Sequence, residues 1–76
     1  MGDYMEKYFV LKVTYASWKG FPICYTKNKH AGPFSSHKEA QLVANEENDI
    51  RRRRKEDKWI FQVGMQKEIG ASGIIL

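Results

Sequence analysis

The sequence predicts a single small α+β domain with the element order β-β-α-β. Three observations predict it: the chain has only 76 residues, apolar residues alternate with a period of two in three segments, and a segment between them carries helix signals. A chain of this length holds one domain and leaves no room for a catalytic cleft between two. We therefore expect a three-stranded, mainly antiparallel sheet with one helix on one face over residues 1–69. Residues 70–76 are expected to form a flexible or docking tail.

The first two strands are predicted as a β-hairpin. Four large apolar residues at odd positions predict a strand with these side chains on the core side: Phe9, Leu11, Val13 and Tyr15. Gly20 interrupts the alternation because it accepts a positive φ, and residues 21–25 resume it. Residues 26–33 are polar and end in Gly32-Pro33, so they are predicted as a loop.

A helix and a third strand follow. Ser36 and Glu39 have the spacing of a capping box, which predicts the start of the helix. Apolar residues recur at spacings of three and four as far as Ile50, and helical propensity continues to about Lys55. Alternation then returns in residues 59–65, which predicts the third strand.

One helix covers only one face of a sheet, so the opposite face is expected to be open. On this interpretation the open face carries the even residues of the first strand and their neighbours: Tyr8, Val10, Lys12, Thr14, Cys24, Thr26, Ile60, Gln62 and Gln66. Contiguous exposed apolar surface of this kind indicates a contact face. The alternative is that residues 74–76 fold back and cover it.

Four consecutive arginines, Arg51, Arg52, Arg53 and Arg54, are the strongest charge feature of a chain with net charge +4. They favour phosphate contacts through counterion release, or an arginine-based contact with a protein. The other interpretation is a solvated helix end neutralised by four i,i+4 pairs: Glu47 with Arg51, Asp49 with Arg53, Arg52 with Glu56, and Arg53 with Asp57.

A second basic group, Lys27, Lys29 and His30, precedes the predicted helix start. Free backbone N–H groups at a helix start favour an anion, so phosphate binding is one interpretation. The spacing matches no phosphate-loop motif, and an ordinary capped helix is the other interpretation.

Nothing in the sequence indicates catalysis, a metal or a cofactor. Cys24 is the only cysteine, and the paired Cys or His spacing of a structural zinc site is missing. A lone thiol without a signal peptide indicates a cytoplasmic protein. The longest apolar run is far shorter than the ~20 residues of a membrane span, so no membrane partner is expected.

Residues 32–40, GPFSSHKEA, resemble the helix start of arm-binding domains in phage-type integrases and of AP2-like domains. That resemblance implies DNA reading by the exposed sheet face. The same stretch also resembles the helix start of SPOR peptidoglycan-binding domains. In element order and size, the chain is similar to small phage-encoded inhibitors of host machinery, such as those acting on bacterial RNA polymerase; fold alone does not imply function.

We therefore expect a small, basic, non-enzymatic binding protein, encoded by a phage or mobile element, that inhibits or modulates a host nucleic-acid-handling protein complex by covering its surface. The predicted partner-binding residues are Tyr8, Lys12, Trp18, Ile60, Arg51, Arg52, Arg53 and Arg54. Trp18 is included because an aromatic residue at a hairpin tip can anchor a partner. The alternative is direct DNA or RNA binding by the same basic residues, and homodimerisation is compatible with either.

Overall fold

A computed structural model of the chain describes residues 7–75 and shows an α+β fold, as expected. The sheet has four strands rather than three, every strand pair is antiparallel, and the order is β3-β1-β2-β4. A short 3-10 helix, Gln66–Glu68, follows β3. The other elements are β1 (Tyr8–Trp18), β2 (Phe21–Phe34), α1 (His37–Arg53), β3 (Trp59–Met65) and β4 (Ser72–Ile74).

The predicted hairpin between β1 and β2 is confirmed. Lys19 and Gly20 form its two-residue turn with φ values of 53° and 84°. Positive φ at both turn positions matches the right-handed twist of the flanking strands, and only glycine adopts it without strain.

The loop predicted for residues 26–33 is wrong, because β2 continues through it to Phe34. Asn28 pairs with Lys12 and Ala31 pairs with Val10, so the backbone of this polar segment belongs to the ladder. Its side chains are mostly exposed and therefore lack an apolar alternation. Gly32-Pro33 lies where the pairing of β1 with β2 shifts register, so the turn signal marks an irregularity inside the strand.

Helix α1 begins where the sequence predicts. The Ser36 hydroxyl oxygen accepts a hydrogen bond from the Glu39 backbone N–H at 3.1 Å. The Glu39 carboxylate accepts from the Ser35 hydroxyl at 3.4 Å, so only half of the predicted capping box forms among the described residues.

The helix ends at Arg53 in a Schellman motif. The backbone N–H of Glu56 donates to the carbonyl of Arg51 at 3.0 Å, and that of Lys55 donates to the carbonyl of Arg52 at 3.1 Å. Lys55 takes the left-handed position with φ of 57°, where glycine is usual.

The two faces of the sheet are arranged differently from the prediction. Directly paired residues point to the same face, and Val10 packs with Ala40, Ala44 and Phe61 in the core beneath the helix. The helix therefore covers the even residues of β1, which were expected to be open. Three odd residues predicted to face the helix lie on the other face and are also buried: Phe9, Leu11 and Val13.

The path from β3 to β4 explains the burial of the second face. These strands lie at opposite edges of the sheet, so residues 66–71 must pass from one edge to the other. We call the face that carries the odd-numbered residues of β1 the odd face. Lys27 pairs with Val13 and therefore lies on the odd face. Its Nζ lies 3.3 Å from Oε1 of Glu68, which belongs to this connection. Gly64 lies on the same face, where a Cβ atom would collide with the Leu11 side chain.

The predicted tail contains β4, which pairs with Cys24, Tyr25 and Thr26 of β2. Ile74 and Ile75 therefore lie at a sheet edge, and Leu76 lies outside the described residues. Within residues 7–75, α1 is too short and too polar to span a bilayer.

Candidate binding surfaces

The end of the β1–β2 hairpin carries the largest exposed aromatic side chains of the described chain. Trp18 and Phe21 pair directly across the turn, and their exposed fractions are 64% and 69%. Pro22 beside them is also exposed, and the Lys19 ammonium lies 4.8 Å from the centre of the Trp18 ring. We call Trp18, Lys19, Phe21 and Pro22 the tip surface.

The tip surface is exposed because the hairpin extends past the rest of the sheet. The first residue of β3, Trp59, pairs with Thr14, so the last four residues of β1 project beyond that strand. The backbone N–H of Tyr15 still donates to the Lys58 carbonyl at 2.9 Å. The resulting molecule is elongated, measuring 50 × 27 × 14 Å, and its helix packs against the opposite part of the sheet.

A shallow groove adjoins the tip surface. It has a volume of about 400 Å³ and lies between the hairpin stem and the segment that precedes β3. Its lining residues are Tyr15, Ser17, Gly20, Pro22, Asp57 and Lys58. Since Pro22 belongs to both surfaces, the groove extends the tip surface toward the charged segment at the end of the helix.

Arg51 has a structural role at the helix end. Its Nε donates to the Asn48 side-chain oxygen at 3.3 Å, and its Nη1 donates to the backbone carbonyl of Glu56 at 2.8 Å. The side chain thereby helps to satisfy a carbonyl beyond the end of the helix. Arg51 is half-buried and is less available to a partner than the sequence prediction required.

The four i,i+4 ion pairs predicted around the arginine run are wrong, since none is present among the described residues. Arg52 instead pairs with Asp49 at i,i+3, with 3.0 Å between Nη2 and Oδ1. Glu47 turns toward His30, with 3.6 Å between Oε1 and Nε2. Glu56 accepts a hydrogen bond from Arg51 through its backbone carbonyl and not through its carboxylate.

Arg53, Arg54 and Lys55 form the basic helix end. All three are exposed, and none forms an ion pair within residues 7–75. Arg54 also borders a cleft of about 170 Å³ together with Lys12 and Trp59. Because the segment after the helix leads to Lys58 beside Tyr15, this basic group lies toward the same end of the molecule as the hairpin stem.

The structure separates the residues predicted to share an open sheet face. Tyr8 is half-buried on the helix side, with its ring edge-on to His37 at 5.6 Å. Lys12 is on the same side, with its ammonium 4.3 Å from the Trp59 ring centre. Ile60 pairs with Val13 and therefore lies on the opposite face. Tyr8, Lys12 and Ile60 do not form one contact face.

Lys27, Lys29 and His30 also fail to converge, because they belong to β2 rather than to a loop before the helix. Lys27 and Lys29 lie on the odd face, where Lys29 approaches the Phe9 ring at 6.0 Å. His30 lies on the helix face, with its ring 4.7 Å from that of Phe61. The anion site predicted at the helix start is therefore not assembled from these three side chains.

Glu68 secures the connection that covers the odd face. Its carboxylate accepts from the Met65 backbone N–H at 2.9 Å and from the Lys27 ammonium at 3.3 Å. The Met65 hydrogen bond, aided by Lys27 and Lys67, lowers the pKa of this carboxyl below its ordinary value against an opposing effect of burial. The group is ionised at neutral pH and joins the end of β3 to β2.

Cys24 is a half-buried strand residue with a free thiol. It pairs with Ala16 of β1 and Ile74 of β4, so its immediate partners in the ladder are apolar. Within residues 7–75, no three His, Cys, Asp or Glu side chains lie close enough together to hold a metal ion.

Phe21 is the exposed aromatic residue of the tip surface that the sequence interpretation did not single out. The sequence contains a signal for this surface, because Trp18 directly precedes and Phe21 directly follows the two-residue turn Lys19-Gly20. Such a spacing makes them direct cross-strand neighbours. Their joint exposure depends on how far the other strands extend, which the local sequence does not show.

Comparison of the chain with protein-family models, with curated proteins and with solved structures found no match. The resemblances to phage inhibitors, integrase domains and SPOR domains stay predictions.

Proposed function

We propose that the protein is a small non-enzymatic binding protein that docks on a partner protein through its tip surface. The supporting observation is the joint exposure of Trp18 and Phe21 at one end of an elongated molecule. Aromatic side chains that fill a partner's pocket are frequent energetic anchors of interfaces. Two such residues paired on a hairpin present a rigid wedge, since the turn sets their separation.

Charge around the tip indicates the kind of partner. Lys19 is part of the tip surface, Lys58 lines the adjoining groove together with the acidic Asp57, and the basic helix end lies toward the hairpin stem. An apolar tip that carries Lys19, with the basic helix end toward the stem behind it, fits an apolar pocket with an acidic border. Our finer proposal is that the partner is a host complex that handles nucleic acid, and that a phage or mobile-element protein inhibits it by covering its working surface.

The test is affinity capture from a bacterial lysate with the wild type, with Trp18→Ser/Phe21→Ser, and with Leu42→Ser. Leu42 is a matched control because it is an apolar helix residue with an exposed fraction of 60%. We expect the wild type and Leu42→Ser to retain the same discrete protein, with or without nuclease treatment. Trp18→Ser/Phe21→Ser should not retain it. Thermal unfolding of each variant checks that it folds.

Retention of the same protein by the tip variant would overturn docking through Trp18 and Phe21. Loss of the partner after nuclease treatment would show that nucleic acid forms the bridge. Identification of the retained protein then tests the finer proposal, which fails if that protein has no part in handling nucleic acid.

A second candidate function is direct nucleic-acid binding by the basic helix end. The observation that favours it is the exposure of Arg53, Arg54 and Lys55 without ion pairs among the described residues. Phosphate contacts by these residues would make the affinity fall with salt, and each contact with duplex DNA would make the negative slope of log K against log salt steeper by about 0.9.

This candidate is tested by fluorescence anisotropy of labelled duplex and single strands over a salt series. Arg53→Glu/Arg54→Glu should abolish binding, whereas Lys38→Glu, an exposed change at the other end of the helix, should weaken it much less. Arg51 is left intact because its substitution would disturb the helix end. Equal weakening by both variants would indicate non-specific attraction to the basic chain.

A further inference from the structure

The two edges of the sheet are treated differently by the surrounding structure. At the β3 edge, the backbone N–H and carbonyl of Phe61 are both bonded to the Asn48 side chain, at 2.9 and 2.8 Å. The Met65 N–H at the same strand is bonded to Glu68. These side chains occupy backbone groups with which another strand would pair.

The β4 edge carries free backbone groups. Ile75 donates its N–H to Ile23, and Ala71 accepts from Lys27, so the odd positions of this segment face β2. Hydrogen bonding alternates along an antiparallel strand, and the N–H and carbonyl groups of Ser72 and Ile74 therefore point away from the sheet. Within residues 7–75, no side chain is bonded to these groups.

Apart from its short length of three residues, this edge lacks the usual protection against strand pairing. Lysine, proline and bulges commonly block exposed edges in natural sheets. Residues 69–75 contain no charged residue and no proline, although 29% of the whole chain is charged. Ile74 has an exposed fraction of 80%, the highest among the large exposed apolar residues of the described range 7–75. The β4 edge can therefore accept another strand, because its outward backbone groups are free among the described residues and its side chains carry no charge.

We propose that the occupant of this edge is a second copy of the same chain, paired antiparallel through β4 about a two-fold axis at Gly73. Ser72 of each copy would exchange backbone hydrogen bonds with Ile74 of the other, which gives four bonds and satisfies all the outward groups of the strand. The two sheets would become one continuous sheet of eight strands. The proposal is independent of the partner proposed for the tip surface.

The side chains around the proposed axis suit this pairing. Two glycines would face each other there at the close, non-hydrogen-bonded spacing, where Cα atoms are about 4.5 Å apart. On each copy the Tyr25 ring already occupies the space beside Gly73, where a Cβ atom would lie 2.7 Å from its hydroxyl. The two Ile74 side chains would become diagonal neighbours on one face, within reach of each other.

Charge and area set the expected strength. Each chain is positively charged, but the uncharged β4 segment allows two copies to approach without like charges in direct contact. Three paired residues cover much less than the roughly 800 Å² per partner of a standard interface. We therefore expect a weak, concentration-dependent dimer, which a single substitution can abolish.

The experiment is sedimentation equilibrium over a concentration series with the wild type, Ile74→Lys and Leu42→Lys. We expect the mass of the wild type and Leu42→Lys to rise toward twice the monomer, while Ile74→Lys stays monomeric. Leu42→Lys makes the same change at an exposed apolar helix residue, so it controls for added charge. A wild type that remains monomeric, or an Ile74→Lys variant that still dimerises, overturns the proposal.

Amide hydrogen exchange of the wild type gives a second readout that needs no variant. Protection of the Ser72 and Ile74 N–H groups should increase with protein concentration, because these groups become bonded only in the dimer. Protection that stays constant while the mass doubles would place the interface elsewhere and overturn pairing through β4. Thermal unfolding of Ile74→Lys shows whether loss of the dimer comes with loss of the fold.

Discussion

The side chain of Asn48 pairs with the backbone of Phe61 as a neighbouring strand would. Its oxygen accepts from the Phe61 N–H at 2.9 Å, and its amide nitrogen donates to the Phe61 carbonyl at 2.8 Å. The helix is thereby tied to the outer edge of β3 above the buried Phe61 ring. Arg51 donates to the same Asn48 oxygen at 3.3 Å, which links the helix end to this contact.

Replacing Asn48 should therefore destabilise the fold more than replacing a surface asparagine. We expect Asn48→Ala to lower the free energy of unfolding by about 1–3 kcal/mol, because two backbone groups lose their partner. Asn45→Ala is the matched control, since Asn45 makes only an exposed contact with Gln41 on the same helix. Urea denaturation of both variants measures the difference, and equal losses would show that the Asn48 contact contributes nothing specific.

A glycine at position 55 should stabilise the protein. Lys55 holds a left-handed conformation with φ of 57°, which costs a non-glycine residue about 1 kcal/mol. We expect Lys55→Gly to raise the free energy of unfolding by roughly that amount. Lys55→Ala removes the same charge but keeps the strained side-chain position, so it should not stabilise. A similar gain in both variants would assign the effect to charge.

The Glu68 carboxylate should make stability depend on pH in the acid range. Its hydrogen bond from Met65 lowers its pKa in the folded state below the ordinary value of 4.5. A lowered folded-state pKa contributes stability that is fully present above that ordinary value and is lost as the pH falls through the folded-state value. Glu68→Gln should therefore be less stable than the wild type at neutral pH, and the difference should narrow below pH 4.5.

Urea unfolding of wild type and Glu68→Gln at a series of pH values tests this dependence. Glu46→Gln makes the same chemical change on an exposed part of the helix and serves as the control. A difference between wild type and Glu68→Gln that stays constant down to acid pH would contradict a role for the ionised carboxylate.

Gly64 should tolerate no side chain while Leu11 is intact. A Cβ atom at position 64 would collide with the buried Leu11 side chain, and such overpacking costs about 1–3 kcal/mol. We expect Gly64→Ala to lower stability by this amount and to cost less in a Leu11→Ala background, where space is available. A double-mutant cycle measures the coupling. Additive losses would show that Leu11 does not set the requirement for glycine, and would leave the Glu68 carboxylate, 3.0 Å from the same Cβ position, as the neighbour to test.

Local signals predicted the hairpin, the helix and β3 because each depends on residues near in sequence. Gly20 allows the turn, Ser36 caps the helix, and alternating apolar residues define β3. The polar half of β2 was missed because its side chains are mostly exposed, and pairing with β1 rather than hydrophobic pattern makes it a strand. The three-residue β4 has too short a pattern to be recognised.

The candidate surfaces were less predictable than the elements. The sequence places Trp18 at a hairpin tip. It does not distinguish Arg51 from the three arginines that follow, because the hydrogen bond from Arg51 to the Glu56 carbonyl depends on the Schellman motif that ends the helix. Tyr8, Lys12 and Ile60 were grouped together by assuming that the helix covers the odd residues of β1. That assumption failed since both faces of β1 are apolar in its first half, where Phe9, Val10 and Leu11 are all buried.

Sequence patterns establish an α+β chain with a hairpin, a capped helix and a run of four arginines near the helix end, because propensity, capping and turn chemistry act over a few residues. The tertiary structure determines which face of β1 meets the helix, where residues 66–71 cross, and which edge is left open. These features depend on strand order, and strand order follows from the total burial and backbone pairing available to the whole chain. For β1, buried on both faces, the local pattern is compatible with either orientation.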